Sequence, residues 1–214
     1  MDHQPYLPAP TGPDLPIEIR ELQVGTTGRR AFIVDNLVEP GALAPLYHYF
    51  RGLPYEFFDT DRQDTQFVRH LVHYFEDDEY ETNRAIASLI AQAADILRDR
   101  ELAFTGIQRV YANFNLFGDY QFAHTDGDVW TALVFVNAAW GDDWGGEFLL
   151  YEEGPQAVAY AIPVRPGRVV VFDGRLTHRG GVPSKYCVDP RITLAIKFER
   201  AEADSPGVGR VSPS

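Results

Sequence analysis

The chain has 214 residues, 45% of them hydrophobic and 13% aromatic. That composition excludes fibrous and wholly disordered classes and predicts one domain, against a prior of about 150 residues per domain. Thirty-one acids against 19 bases leave a net charge of -12, a surface that repels phosphate backbones and anionic lipid, so no nucleic-acid or membrane partner is expected.

The single cysteine, Cys187, excludes an internal disulfide and a Cys-rich zinc site. No apolar run approaches the roughly 18 residues of a membrane span. The start, MDHQPYLPAP, has neither the basic nor the apolar region of a signal peptide, so the expected compartment is the cytoplasm.

Five prolines within residues 1–16 predict an extended N-terminal arm. A small, polar stretch predicts a loose tail over 201–214, leaving 17–200 as the folded domain. Within it, RAFIVDNLV (30–38) reads as a strand followed by a turn at Glu39-Pro40-Gly41. ALAPLYHYF (42–50) then reads as a helix, with Pro45 tolerable only near its first turn. The acidic run Glu76–Glu81 reads as a solvated loop. Residues 82–100 form the clearest helix: Ile86, Leu89, Ile90, Ala93, Ala94 and Leu97 recur at helical spacing, with Thr82 as candidate N-cap. His70 and His73 sit among Val72, Tyr74 and Phe75 and read as parts of a packed element.

From Gly106 onward the texture is β. IQRVYANFNLF, YQFAH, VWTALVFVN, GEFLLY, AVAYAIPV, RVVVF, THRGGV and ITLAIKF are short β-branched and aromatic runs separated by Gly, Asp and Pro. About eight such runs predict a sandwich or barrel over 106–199, supported by helices from the N-terminal half.

Chemistry concentrates in these runs. His124 and Asp126 stand two apart at the end of one predicted strand, so they share a face, and His178 follows 54 residues later. Two imidazoles and a carboxylate on one face of an octahedral ion leave three positions open, which suits ferrous iron that binds a chelating cosubstrate and dioxygen. Arg191 and Thr193 begin the last strand on a shared face. A guanidinium beside a hydroxyl clamps a carboxylate, such as the far end of 2-oxoglutarate. Asn113 and Asn115 alternate with Tyr111 on one face and are candidates to touch cosubstrate or substrate. Trp130, Phe122 and Phe135 read as core, with one of them a candidate pocket wall. Gly145-Gly146 reads as a tight turn, because no helix start or Lys-Ser/Thr follows.

From about Phe32 to Glu199 the sequence resembles the 2-oxoglutarate- and Fe(II)-dependent oxygenases, in their prolyl-4-hydroxylase-like branch. The resemblance is densest in VYANFNLFGDYQFAHTD, WGGEFLLY, VRPGRVVVFDGRLTHRGGVP and RIT. It implies a mainly β fold with flanking helices, a double-stranded β-helix (jelly-roll) core, and Fe(II), 2-oxoglutarate and dioxygen as cofactors. It places the iron ligands on His124, Asp126 and His178 and the cosubstrate contacts on Arg191, Thr193 and Tyr111. Tyr120 is a second candidate for the tyrosine, and Lys197 an alternative for the cation, because the His178-to-Arg191 interval is long for the family. Related halogenases leave the Asp126 place to Gly or Ala, so the carboxylate implies hydroxylation or another oxidation. The short domain favours a small-molecule substrate such as an amino acid or biosynthetic intermediate. A prolyl or other protein side chain is the alternative, and a non-catalytic metal-binding or sensor jelly roll the third reading.

Overall fold

The computed structural model describes residues 15–201. Apart from Leu15, Pro16 and Ala201, the expected arm and tail lie outside them.

Strand alternation between two sheets defines the architecture. One antiparallel sheet runs β1 (Glu18–Val24), β2 (Arg29–Asp35), β9 (Val169–Asp173), β6 (Val129–Phe135), β11 (Arg191–Arg200), β5 (Phe104–Asn115), β4 (His70–Phe75) and β3 (Glu56–Asp59). The smaller sheet runs β10 (His178–Gly180), β7 (Phe148–Tyr151) and β8 (Val158–Ile162). From β6 onward the chain passes from large sheet to small and back twice, with β9 and β11 inserted on either side of β6. This winding is the expected jelly roll. The β framework starts earlier than the predicted residue 106, however: β1 to β4 complete both edges of the large sheet, and of these only β2, which overlaps the strand expected over 30–38, is legible in the sequence.

Period-2 patterning builds two cores. Ile192, Leu194, Ile196 and Phe198 of β11 and Val169 and Val171 of β9 face outward, under α1 (Pro40–Arg51) and α3 (Arg84–Asp99). Ala195, Val170 and Phe172 face inward, against Phe148 and Leu150 of the small sheet. A strand covered on both faces reads as a continuous apolar run, as VVVF does.

The helices show where local chemistry overrides simple reading. Pro40 does not turn the chain but occupies the start of α1, where its missing N–H is harmless. The acidic run Glu76–Glu81 is mostly the short helix α2 (Asp77–Thr82), pinned by buried Tyr80 and carrying three acids in its first turn. Thr82 is not the cap of α3, because its hydroxyl donates back to the Asp78 carbonyl at 2.7 Å. Asn83 caps instead, its Oδ1 accepting from the Ala85 and Ile86 amides at 3.1 and 3.3 Å. Asn83→Ala is expected to remove about 1 kcal/mol of stability and lower Tm by roughly 2–4 °C, measured by thermal denaturation. Among the described residues no helix is long and apolar enough to cross a membrane.

Candidate active site

A cavity of about 150 Å³ opens between the two sheets. That is room for roughly five waters' worth of liquid. The inward face of β11 supplies Arg191, Thr193 and Lys197, β5 supplies Tyr111 and Asn113, and β6 supplies Thr131.

His124 and Asp126 do not end a strand as expected. YQFAH forms no strand, and the segment between β5 and β6 is irregular except for a bridge between His124 and His178, whose amides donate to each other's carbonyls at 3.0 and 2.9 Å. The Asp126 amide donates to the Gly174 carbonyl at 2.7 Å. Backbone pairing to β10 and to the β9–β10 connection therefore does what strand alternation was expected to do.

The structure brings the three sequence-predicted ligands together. One donor atom from each of His124, Asp126 and His178 lies within 4.8 Å of the others. His124 Nε2 is 3.8 Å from Asp126 Oδ1, and His178 Nε2 is 3.6 Å from Asp126 Oδ2. Each imidazole donates its Nδ1–H to the carbonyl two residues earlier: His124 to Phe122 at 2.9 Å, His178 to Leu176 at 2.8 Å. A carbonyl only accepts, so the tautomer is fixed and both Nε2 lone pairs remain free. Burial pushes His178 down to about 4, leaving it neutral at neutral pH. Burial alone would raise the Asp126 carboxyl, but His178, Lys197 and the Thr131 hydroxyl outweigh it and hold it well below the usual carboxylate range. Two imidazoles with free Nε2 atoms and one carboxylate, their donor atoms within 4.8 Å of one another, fit a divalent transition metal.

The other end of the cavity fits an anion. Arg191 is fully buried; its Nε donates to the Gly146 carbonyl at 2.7 Å and Nη1 to Asn115 Oδ1 at 3.3 Å, while Nη2 has no partner among the described residues. The guanidinium lies 5.3 Å from the centre of the Phe135 ring, and burial pushes it down to about 10. A buried guanidinium with an unused donor beside a fully buried Thr193 hydroxyl has the chemistry to hold a carboxylate. Gly145 and Gly146 follow the 3-10 helix Asp142–Trp144 with φ of +66° and +77°, and Gly145 makes a β-bridge to Pro183 where a tight turn was expected. A Cβ on Gly146 would sit 3.0 Å from Arg191 Cδ, so the glycine is what lets the guanidinium pack there.

The remaining candidates separate cleanly. Tyr111 lines the cavity, and burial raises its phenol well above the ordinary value. Tyr120 is exposed and stacks under Arg179, away from the cavity. Lys197 bonds to Asp126 rather than standing free for an outer carboxylate. Asn113 lines the cavity and donates to Thr193 Oγ1 at 3.5 Å, while Asn115 serves Arg191. None of Trp130, Phe122 and Phe135 is among the lining residues; Phe148 and Phe172 are, with ring centres 5.5 and 4.6 Å from that of His178. His73 has the expected structural role, near the Pro54 carbonyl and Glu79.

His70 has a place in the site that proximity in sequence did not reveal. Its Nε2 is 2.9 Å from Asp61, a buried carboxylate that also accepts the Phe122 amide at 2.5 Å and lies 3.5 Å from His124 Nδ1. Asp61 thus ties the segment carrying His124 to the β3–β4 connection. Nothing in the polar stretch TDRQDTQ distinguishes Asp61 from its neighbours before folding.

No protein-family model matches the chain, and a search of curated proteins returns no match. Solved structures do match. A Pseudomonas putida prolyl-4-hydroxylase aligns with a TM-score of 0.61 at 13% identity, over 79% of this chain and 92% of its own. An oxidoreductase of the 2OG-Fe(II) oxygenase family from Burkholderia pseudomallei gives 0.62 at 16%, over 80% and 85%. The non-heme alpha-ketoglutarate-dependent carbocyclase SnoK of nogalamycin biosynthesis gives 0.58 at 14%, over 89% and 88%. At these identities the likeness is one of fold, and the chain shares the jelly-roll fold of 2-oxoglutarate/Fe(II) oxygenase structures, prolyl-4-hydroxylases among them.

Proposed function

We propose that this chain is an Fe(II)- and 2-oxoglutarate-dependent oxygenase that hydroxylates an unactivated carbon of a small molecule. One observation carries the reading: a buried cavity holds two free imidazole lone pairs and a carboxylate at one end and an unpaired guanidinium donor at the other. When bound, iron and 2-oxoglutarate supply oxidation of a C–H bond by dioxygen, coupled to decarboxylation of the keto acid.

The protein's own contribution is binding, orientation and exclusion of water. His124, Asp126 and His178 hold the metal, their orientations fixed by the Phe122 and Leu176 carbonyls and by Thr131. Arg191 receives the outer carboxylate of 2-oxoglutarate through Nη2, with Thr193 beside it. Tyr111, whose phenol stays protonated, presents an O–H to the cavity. Phe148 and Phe172 keep water from the His178 ring.

The small, polar cavity supports a small-molecule substrate. A peptide side chain is the second reading, favoured by the edge strand β3, whose Phe57 and Phe58 are each 64% exposed. The test is succinate formation and oxygen uptake with Fe(II) and 2-oxoglutarate, first alone, then with amino acids and with peptides. Slow substrate-free turnover that one class accelerates is the expected outcome; no succinate under any condition contradicts it. Gly146→Ala is expected to weaken 2-oxoglutarate binding roughly tenfold, because a side chain at φ +77° strains the turn and displaces Arg191, while metal affinity stays unchanged in calorimetric titration.

A further inference from the structure

The inward face of β11 carries a lysine that the carboxylate receptor does not use. Lys197 Nζ donates to Asp126 Oδ1 at 2.6 Å, with side-chain exposures of 2% and 4%. Asp126 Oδ2 accepts from Thr131 Oγ1 at 2.6 Å. Each carboxylate oxygen therefore has one protein donor, one charged and one neutral. Arg109 is paired with Lys197 in the β5–β11 register, but it is exposed and packs over Tyr111. Among the described residues, Lys197 is the one ammonium or guanidinium within ion-pair distance of Asp126.

Two neutral imidazoles and one carboxylate bring a single negative charge to a divalent cation, and Lys197 cancels that charge in advance. We propose that Lys197 is a positioning residue that sets the charge of the metal pocket. Paired with Asp126, it loosens the pocket's hold on a bare divalent cation and strengthens the hold of the cation-loaded pocket on an anionic keto acid. This rests on the metal-site reading above. The physical reason is that a buried carboxylate needs a compensating positive charge. With Lys197 present, the apo protein already has one, and an incoming cation must share Asp126 with a like charge. Without Lys197, the cation becomes the compensation, and whatever binds the folded state in that role stabilises it more. The dianionic keto acid feels the opposite effect, losing one favourable charge close to its chelating end.

Lys197→Gln keeps a donor on Asp126 and drops the charge; Lys197→Met drops both; Thr131→Val removes the neutral donor and leaves the charge alone. Each full-length variant is titrated calorimetrically with Mn(II), then with 2-oxoglutarate, and melted with and without Mn(II). Both Lys197 variants are expected to bind Mn(II) at least tenfold more tightly and, once loaded, to bind 2-oxoglutarate about tenfold more weakly. Their apo Tm falls by about 5–15 °C, and Mn(II) raises it more than in the parent chain. Thr131→Val moves the other way, losing up to about tenfold in Mn(II) affinity through poorer orientation of Asp126. A Lys197→Gln chain that binds Mn(II) no more tightly than the parent, or one that loses affinity as Thr131→Val does, overturns the proposal while leaving the metal site standing. A parent chain that binds neither Mn(II) nor 2-oxoglutarate overturns the metal-site reading itself.

Discussion

Replacing His124 with alanine is expected to lower Fe(II) affinity by more than about 100-fold and to abolish succinate formation while leaving the fold intact. Outer partners of metal ligands typically matter by 10- to 100-fold, and removing a ligand exceeds that. His124 is the cleanest of the three to remove. Its side chain is 20% exposed, and its backbone bridge to His178 survives substitution. Asp126→Ala serves the same test less well, since it leaves Lys197 buried without its partner, a change worth about 3–5 kcal/mol in comparable buried pairs. Loss of activity in that variant mixes lost ligation with lost stability. Metal titration and circular dichroism on the His124 variant separate the two: a native spectrum with no metal uptake is the expected pair of results.

Arg191→Met is expected to raise the 2-oxoglutarate concentration needed for half-maximal turnover by about 100-fold or more, with Fe(II) affinity unchanged. Truncating one partner of a fully buried charge pair typically removes 2–5 kcal/mol of binding. Arg191 is such a group, fully buried and pushed down to about 10 by desolvation. The substitution also strips donors from the Gly146 carbonyl and Asn115 Oδ1, so a fall in Tm of several degrees accompanies it. Titrating 2-oxoglutarate into the metal-loaded protein distinguishes the receptor from a merely structural guanidinium. A Tm drop with unchanged affinity would mean that Arg191 only braces the turn.

Much of this site is legible in the sequence because β-strand alternation is rigid. Arg191, Thr193 and Lys197 share a face of β11 by parity alone, and the apolar residues between them fix which face lies under the helices. The three candidate metal donors are legible by spacing and resemblance, although the mechanism that joins His124 to Asp126 is not. The segment is irregular, and its position comes from hydrogen bonds to His178, Gly174 and Asp61 that span dozens of residues. Long-range polar pairing of that kind leaves no periodicity. The same limit hides the partner of Lys197, a carboxylate 71 positions away. Strand β3 escapes for a different reason. EFFD is an edge strand with no buried residue, so it carries no apolar alternation to read. Thr82 and Asn83 are both good cap residues, and only the hydrogen bond from Thr82 back to Asp78 decides between them.

The most direct measurement is an anaerobic calorimetric titration of the full chain with Fe(II) followed by 2-oxoglutarate, repeated on the His124→Ala and Arg191→Met variants. Expected is one Fe(II) per chain, keto-acid binding that requires the metal, loss of both steps without His124, and loss of only the second without Arg191. Iron uptake that persists unchanged in the His124 variant, or 2-oxoglutarate binding indifferent to Arg191, would place the chemistry elsewhere in the molecule.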